Sequence, residues 1–122
     1  MTYLTSNHRP EPLILGSASE RRRKILTGLG ISFEIVIPQV EEVFYKNNPK
    51  KTVHENALRK NQWCHQLHPK HYIITADTIL DFRGQCLNKP SSIDEAHAFM
   101  RMLSGTSHTV LTATTFSGPD IE

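Results

Sequence analysis

The 122-residue sequence has little of several features that mark specialised classes of protein. Its two cysteines, Cys64 and Cys86, are too few for the disulfide framework of a small secreted domain. No apolar run approaches the roughly 20 residues of a membrane-spanning helix, and residues 1–12 lack the apolar core of a signal peptide. We therefore expect a globular, cytoplasmic protein that does not act in a membrane.

The net charge is also small, because Lys and Arg exceed Asp and Glu by only two. Such a balance argues against a nucleic acid partner, which would favour a strongly basic surface. Four of the basic residues instead form one run, residues 21–24, which favours a local anion site. With 38% hydrophobic residues, the chain can bury a core. We expect one folded unit over residues 13–122, preceded by a flexible lead-in over residues 1–12.

Alternating strand and helix signals predict an α/β fold. Short apolar or alternating runs indicate strands, whereas capping residues and apolar stripes indicate helices. Two capping boxes, Thr52 with Glu55 and Ser92 with Glu95, are interpreted as helix starts. The predicted strands are residues 13–16, 33–37, 72–76, 86–87 and 109–115, and the predicted helices are residues 20–29, residues 52–66 and a third that follows Ser92. This order favours a mixed, largely parallel sheet flanked by helices.

The segment after the first strand, residues 16–23, joins a small-residue turn to three arginines. Free N–H groups and the dipole at a helix start attract phosphate, and the hydroxyl groups of Ser17 and Ser19 add donors. Arginines at a helix N-terminus oppose the dipole, and a bound polyanion would reverse that penalty. The segment is therefore interpreted as a phosphate site, with a solvated basic face capped by Ser19 as the alternative.

Three further positions are candidates for chemistry, and each has an ordinary structural alternative. Asp77 follows a strand expected to be buried, where a carboxylate needs a partner or a metal, but an aspartate there can also start a turn. Glu42, beside Glu41, is a candidate metal ligand or a solvated loop acid. Lys89 precedes Pro90, which would hold it in a defined turn, and is otherwise a surface lysine.

Taken in order, five segments resemble the Maf family of nucleotide pyrophosphatases. The family patterns are S-x-S-P-R-R, an acidic loop, a helix with a late lysine, G-A-D-T, and a K-P turn followed by L-S-G-x-x-H. The matching segments here are residues 17–22, 40–42, 57–60, 75–78 and 89–108. The resemblance extends over about residues 13–115. It implies a Maf/ITPase-like fold and hydrolysis of a nucleoside triphosphate to the monophosphate and pyrophosphate.

The resemblance also implies a role for each matching position. Asp77 would be the general base, and Arg21 and Thr78 would help to select the substrate. The remaining implied phosphate ligands are Ser17, Arg22, Lys60 and Lys89, and the implied ligands of a divalent Mg or Mn ion are Glu42 and Asp77. The Ala-Asp-Thr form favours the branch that acts on dTTP and UTP, with a role in clearing non-standard nucleotides, over the branch that acts on 7-methyl-GTP.

Some features depart from the family pattern. Glu20 stands where the family usually has proline, and Asn56 where it usually has leucine. The family continues beyond the equivalent of residue 122 through a further lobe, so we expect this chain to be the N-terminal part of a single Maf-like domain without its C-terminal lobe. The family also implies a homodimer. The alternatives are a nucleotide-binding fragment without turnover and a regulatory protein of septum formation. The enzyme interpretation requires Arg21 and Asp77 to line one cavity.

Overall fold

The computed structural model describes residues 12–87 and 91–119. Within these ranges the elements are β1 (Leu13–Gly16), α1 (Glu20–Gly28), β2 (Phe33–Ile35), α2 (Pro49–Leu67), β3 (Ile73–Phe82), β4 (Gln85–Leu87), α3 (Ile93–Leu103) and β5 (Thr109–Ser117). Their order is the one predicted from the sequence. In the same two ranges, no helix combines the length and apolar character needed to cross a membrane. Lys89 and residues 1–11 of the expected lead-in lie outside the described residues.

The strands form one mixed sheet, which confirms the predicted fold class. β1 pairs in parallel with β2 and with β3, and β3 pairs antiparallel with β4 and with β5. Because β5 covers one edge of β3 over nine residue pairs, β1 and β4 must share the other edge. The pairing with β1 ends at Thr75 and the pairing with β4 begins at Leu80. Between these two residues, β3 has an edge with no strand partner among the described residues.

The core lies between the sheet and α2, which packs against β1, β3 and β5. Ile14, Cys64 and Ile73 are fully buried there, and Val36 and Trp63 pack around them. Burial raises the pKa of the Cys64 thiol, so this side chain stays protonated and contributes by packing. The other helices bury far less: α1 contributes Leu26, and α3 has no buried residue. The face of the sheet opposite α2 is therefore the more open one.

The second helix begins earlier than predicted, and the capping box assigned to Thr52 is wrong. α2 begins at Pro49, and its N-cap is Asn48, whose side chain accepts the Lys51 N–H at 3.1 Å. An Asn cap followed by Pro at the first helical position is itself a helix-start signal. Thr52 is buried in the first turns, where its hydroxyl bonds to the Asn48 carbonyl at 2.9 Å and accepts the Tyr45 N–H at 3.0 Å. Thr52 thus ties the preceding loop to α2.

The third strand is longer than predicted. The sequence predicts a strand over residues 72–76, but β3 continues to Phe82 because β5 pairs with it along nearly its whole length. Asp77 and Thr78 therefore lie in the middle of a strand and not at its end. They nevertheless stand where β1 stops, since Gly16 at the end of β1 pairs with Thr75. This level is the carboxyl end of the parallel part of the sheet, where α/β proteins commonly bind ligands.

Gly16 allows close packing at the end of β1. A Cβ atom there would lie 2.7 Å from Thr75 Cγ2 and 2.9 Å from Cys64 Sγ. We expect Gly16→Ala to lower the free energy of unfolding by about 2 kcal/mol, because overpacking forces neighbouring groups to shift. Gly28→Ala is the control, since nothing lies within 4 Å of that Cβ position and alanine favours helix. Urea denaturation would compare them, and equal midpoints would contradict the assignment.

Candidate active site

The turn between β1 and α1 is attached to the middle of β3. Ser19 caps α1 by accepting the Arg22 N–H at 3.3 Å. The buried Ser17 hydroxyl accepts the Ser19 N–H at 3.0 Å and a bond from Arg22 Nη1 at 3.3 Å. Arg22 then extends to β3, where Nη2 donates to Thr78 Oγ1 at 3.0 Å and Nη1 lies 3.5 Å from the Ala76 carbonyl oxygen. A guanidinium group is thereby held where β1 ends.

The neighbouring arginines on α1 have different surroundings. Arg23 forms an exposed ion pair with Glu20 at 3.0 Å, one turn apart on the helix. This pair offsets the negative charge that Glu20 introduces in place of the family's usual proline. Arg21 is exposed and lines the cleft described below. Its guanidinium can therefore reach an anion bound in that cleft.

Lys60 on α2 brings two carboxylates together. Its ammonium nitrogen lies 3.1 Å from Asp77 Oδ1 and 3.4 Å from Glu42 Oε2. The Asp77 side chain is only 11% exposed, so it needs a nearby positive charge, whereas Glu42 is 52% exposed. The same ammonium lies 3.5 Å from the Ala76 carbonyl oxygen. Lys60 and Arg22 thus approach the same backbone oxygen, that of Ala76. Ala76 lies on the stretch of β3 that has, among the described residues, no strand partner along one edge.

The alternation of side chains along β3 places Asp77 and Thr78 on opposite faces of the sheet. Asp77 faces α2 through Lys60, and Thr78 faces α1 through Arg22. The Thr78 hydroxyl also bonds to the hydroxyl of Thr112 on β5 at 2.9 Å. Both residues still line one cleft, because the open edge of β3 at this level exposes the two faces to the same space.

Asn56 is a site residue that the sequence reasoning did not identify, noting it only as a departure from the family pattern. It is 3% exposed and lies one turn before Lys60 on α2. Its Oδ1 accepts the Val43 N–H at 2.7 Å, and its Nδ2 donates to the Val43 carbonyl at 2.9 Å. The same Nδ2 lies 3.5 Å from Asp77 Oδ2. The spacing of four residues from Lys60, which puts both on one helix face, was the available signal.

These groups surround one cleft of about 1290 Å³. Ligand pockets in proteins usually measure about 300–1,000 Å³, so a nucleotide has room here. The polar wall includes Arg21, Arg22, Glu42, Lys60, Asp77 and Thr78, and the apolar wall includes Ile25, Leu80, Phe99, Leu103 and Val110. Arg21 and Asp77 therefore share a cavity, as the sequence interpretation requires. Ser17 lies behind the wall and contacts Arg22, and Lys89 falls outside the described ranges.

Glu42 and Asp77 offer the oxygen ligands that Mg or Mn prefers. Both carboxylates converge on one ammonium group, and Asp77 Oδ2 makes a long contact of 3.5 Å with Asn56 Nδ2. Residues 12–87 and 91–119 contain no group of three or more His, Cys, Asp or Glu side chains suited to a metal. A cation here would take its other ligands from water and substrate phosphates, as Mg commonly does. The carboxylate pair fits such an ion, and its role as a metal site stays a prediction.

Comparison with known proteins identifies the relatives of this chain. The dTTP/UTP pyrophosphatase of Thermotoga maritima is 40% identical over 106 residues, which cover 85% of this chain and 52% of that protein. The dTTP/UTP pyrophosphatase of Chlamydia caviae is 41% identical over 104 residues, with 83% and 53% covered. The chain thus spans about half the length of these relatives.

A solved structure supports the fold. The chain matches a nucleoside-triphosphatase, a dITP/XTP pyrophosphatase from Mycobacterium abscessus, with a TM-score of 0.56 and 16% identity. The match covers 92% of this chain and 67% of that one, and at this identity it establishes the shared fold alone. The profile of the family described as Maf-like protein matches residues 12–120. The chain that carries Arg22, Lys60 and Asp77 around one cleft belongs to the Maf-like protein family.

Proposed function

We propose that this protein binds a nucleoside triphosphate in the cleft and hydrolyses it to the monophosphate and pyrophosphate, with dTTP and UTP as substrates. The observation that carries the proposal is the convergence of Arg22, Lys60 and Asp77 at the level where β1 ends. Relatives with 40% and 41% identity are dTTP/UTP pyrophosphatases, which supports the same reaction here. Mg or Mn as cofactor, a cytoplasmic location and a homodimer belong to the proposal through the family.

The cationic groups would bind the triphosphate. The first turn of α1 directs backbone N–H groups and the positive end of its dipole toward the cleft, which favours an anion. Arg21 lines the cleft and is exposed, so it would contact the substrate directly. Arg22 and Lys60 would stabilise the negative charge that develops on the phosphates as the anhydride bond breaks. Ser17 would act through Arg22, because the Ser17 hydroxyl accepts a hydrogen bond from the Arg22 guanidinium.

Asp77 would serve as the base in this scheme. A water molecule attacks the α-phosphorus of the triphosphate and passes a proton to the Asp77 carboxylate. The bond between the α-phosphorus and the pyrophosphate leaving group then breaks. Glu42 and Asp77 would hold the divalent ion, which supplies charge stabilisation to the phosphate oxygens when bound. Thr78, whose hydroxyl bonds to Arg22 and to Thr112, lines the cleft and would help to select the substrate.

A second candidate is nucleotide binding without turnover. The observation that favours it is the sparse packing of α3, which forms part of the apolar wall yet has no buried residue. An incompletely packed wall would bind a nucleotide but hold it too loosely against Asp77 for catalysis, because small misplacements strongly reduce rates. This candidate and the enzyme share the same site and differ only in turnover.

Titration of dTTP, UTP and 7-methyl-GTP, each with Mn²⁺, distinguishes these candidates. We expect dTTP and UTP to raise the stability of the protein, by about 2.7 kcal/mol at a concentration one hundred times the Kd, and to release pyrophosphate. We expect 7-methyl-GTP to stabilise the protein less and to release less pyrophosphate. Thermal shift and a pyrophosphate assay on the same samples provide both readouts. Stabilisation without release would favour the second candidate, and the absence of both would overturn the proposal.

A further inference from the structure

We propose that Asn56 is a positioning residue, which holds the loop of residues 39–48 so that Glu42 and Asp77 converge as one carboxylate pair. The inference rests on the proposed function, since it concerns how the same site binds its divalent ion. It assigns a role to a buried amide that neither the family pattern nor the motif analysis placed in the site. Asn56 would act through its neighbours and would not itself contact substrate.

The two short bonds from Asn56 restrain the backbone beside Glu42. The Val43 N–H belongs to the peptide group that joins Glu42 to Val43, and it donates to Asn56 Oδ1 at 2.7 Å. The Val43 carbonyl accepts from Asn56 Nδ2 at 2.9 Å. A planar amide that bonds to both groups of one residue restrains its position and its rotation. The direction in which the Glu42 side chain leaves the loop is restrained with it.

The ion pair with Lys60 cannot supply this restraint alone. The Glu42 side chain is 52% exposed, and an exposed ion pair is weakened by solvent and by the entropy of two long side chains. Asn56 is 3% exposed and its two bonds to Val43 are partly buried, so solvent weakens them less than it weakens an exposed ion pair. The Asn56 amide therefore positions the loop backbone. The Lys60 ammonium group then favours those rotamers of Glu42 that bring its carboxylate within reach.

The contact with the second carboxylate completes the link. Asn56 Nδ2 lies 3.5 Å from Asp77 Oδ2, on the side of that carboxylate away from the 3.1 Å contact between Oδ1 and Lys60. A bond this long orients the carboxylate weakly and leaves acceptor capacity on Oδ2. One side chain thus contacts the Asp77 carboxylate and the backbone next to Glu42, and its removal should separate the two acids.

Mn²⁺ binding to the full chain without nucleotide tests the inference. Removing a group that orients metal ligands typically weakens affinity by 10–100-fold, so we expect Asn56→Leu to raise the Mn²⁺ Kd by about tenfold. Electron paramagnetic resonance of free Mn²⁺ measures this directly, without turnover. Should the leucine variant fail to fold, Asn56→Ser offers a smaller change and is expected to weaken binding in the same direction. Unchanged affinity in a folded variant would overturn the inference.

Thr52→Val is the matched control. Thr52 also lines the cleft, but its hydroxyl ties the same loop to α2 through the Tyr45 N–H at 3.0 Å, one helical turn before Asn56, and further bonds go to Asn48 and Cys86. We expect this variant to lose stability but to keep its Mn²⁺ Kd within about twofold, because the loop next to Glu42 stays tethered. An equal loss of Mn²⁺ affinity in Asn56→Leu and Thr52→Val would show that Asn56 stabilises the loop without a specific effect on the carboxylate pair. That result would overturn the inference.

A double-mutant cycle with Glu42→Gln tests whether Asn56 affects Mn²⁺ binding through Glu42. If Asn56 acts through Glu42, then Asn56→Leu should change the Mn²⁺ Kd by no more than about twofold in the Glu42→Gln background, since residues that act as one unit are not additive. Full additivity would contradict the inference, as would a wild-type chain that binds no Mn²⁺. A chain that binds Mn²⁺ as expected but releases no pyrophosphate would overturn the proposed function and leave this inference intact.

Discussion

Replacing Asp77 with asparagine is expected to lower the rate of pyrophosphate release by about 10³-fold, which is within the range for loss of a general base. Asparagine keeps the shape of the side chain and an oxygen that can accept a bond from Lys60, but it has no negative charge and cannot take a proton from water. Arg21 and Arg22 are untouched by the change. Because Asp77 is also a proposed ligand of the divalent ion, the assay uses saturating Mn²⁺. Nucleotide binding should then persist, so the loss should appear in kcat and far less in KM.

Asp81→Asn is the matched control for this prediction. Asp81 lies four residues further along β3, and its Oδ1 accepts the Gly84 N–H at 2.8 Å in the turn before β4. Asparagine can accept the same bond, so the variant should retain activity within about twofold. Steady-state rates with dTTP and Mn²⁺ would compare the two. Equal losses in both variants, or an active Asp77→Asn protein, would exclude Asp77 as the base.

Replacing Lys60 with methionine should damage both stability and turnover. Methionine preserves most of the apolar stem, but it leaves the carboxylates of Asp77 and Glu42 close together without their shared ammonium group. Removing one partner of a buried pair typically costs about 3–5 kcal/mol, and because Lys60 is 19% exposed we expect a smaller loss of about 2 kcal/mol. Turnover should fall by about 10²-fold, since a phosphate-stabilising charge is lost.

Two further variants separate the causes of this loss. Lys50→Met changes an exposed lysine on the same helix and should leave stability within about 0.5 kcal/mol. Adding Asp77→Asn to Lys60→Met removes the buried charge that lacks a partner, so the double variant should regain part of the lost stability. Chemical denaturation measures both effects. A Lys60→Met protein as stable as the wild type would show that the Asp77 carboxylate does not depend on this ammonium group.

Much of the secondary structure could be predicted from local sequence. The Ser19 cap, the Glu20–Gly28 helix and the Ser92 cap, which accepts the Glu95 N–H at 3.0 Å, are interactions among residues within a few positions of one another. The start of α2 was mispredicted although its signal was present. Asn48 and Pro49 form the actual start, but the pattern of Thr52 with Glu55 resembles a capping box and places the predicted start three residues too late.

The length of β3 could not be predicted in the same way. An aspartate after a short apolar run usually marks the end of a strand, although the β-branched Thr78 and Ile79 that follow Asp77 are compatible with a strand. The strand continues because β5, which follows α3 later in the chain, pairs with it from Ile73 to Asp81. Placing Asp77 inside a strand instead of after it is therefore a consequence of sheet pairing. The lysine that balances its charge comes from yet another element.

By itself, the sequence determined the α/β order of elements, the arginine-bearing turn after β1 and the motifs shared with the Maf-like family, because these depend on neighbouring residues and their spacing. Only the tertiary structure decided that Lys60 bridges Glu42 and Asp77, and that Asn56 bonds to Val43 in the loop next to Glu42. These contacts join a loop, a helix and a strand that are separated along the chain. Their distances are set by how α2 packs on the sheet, which no local pattern records.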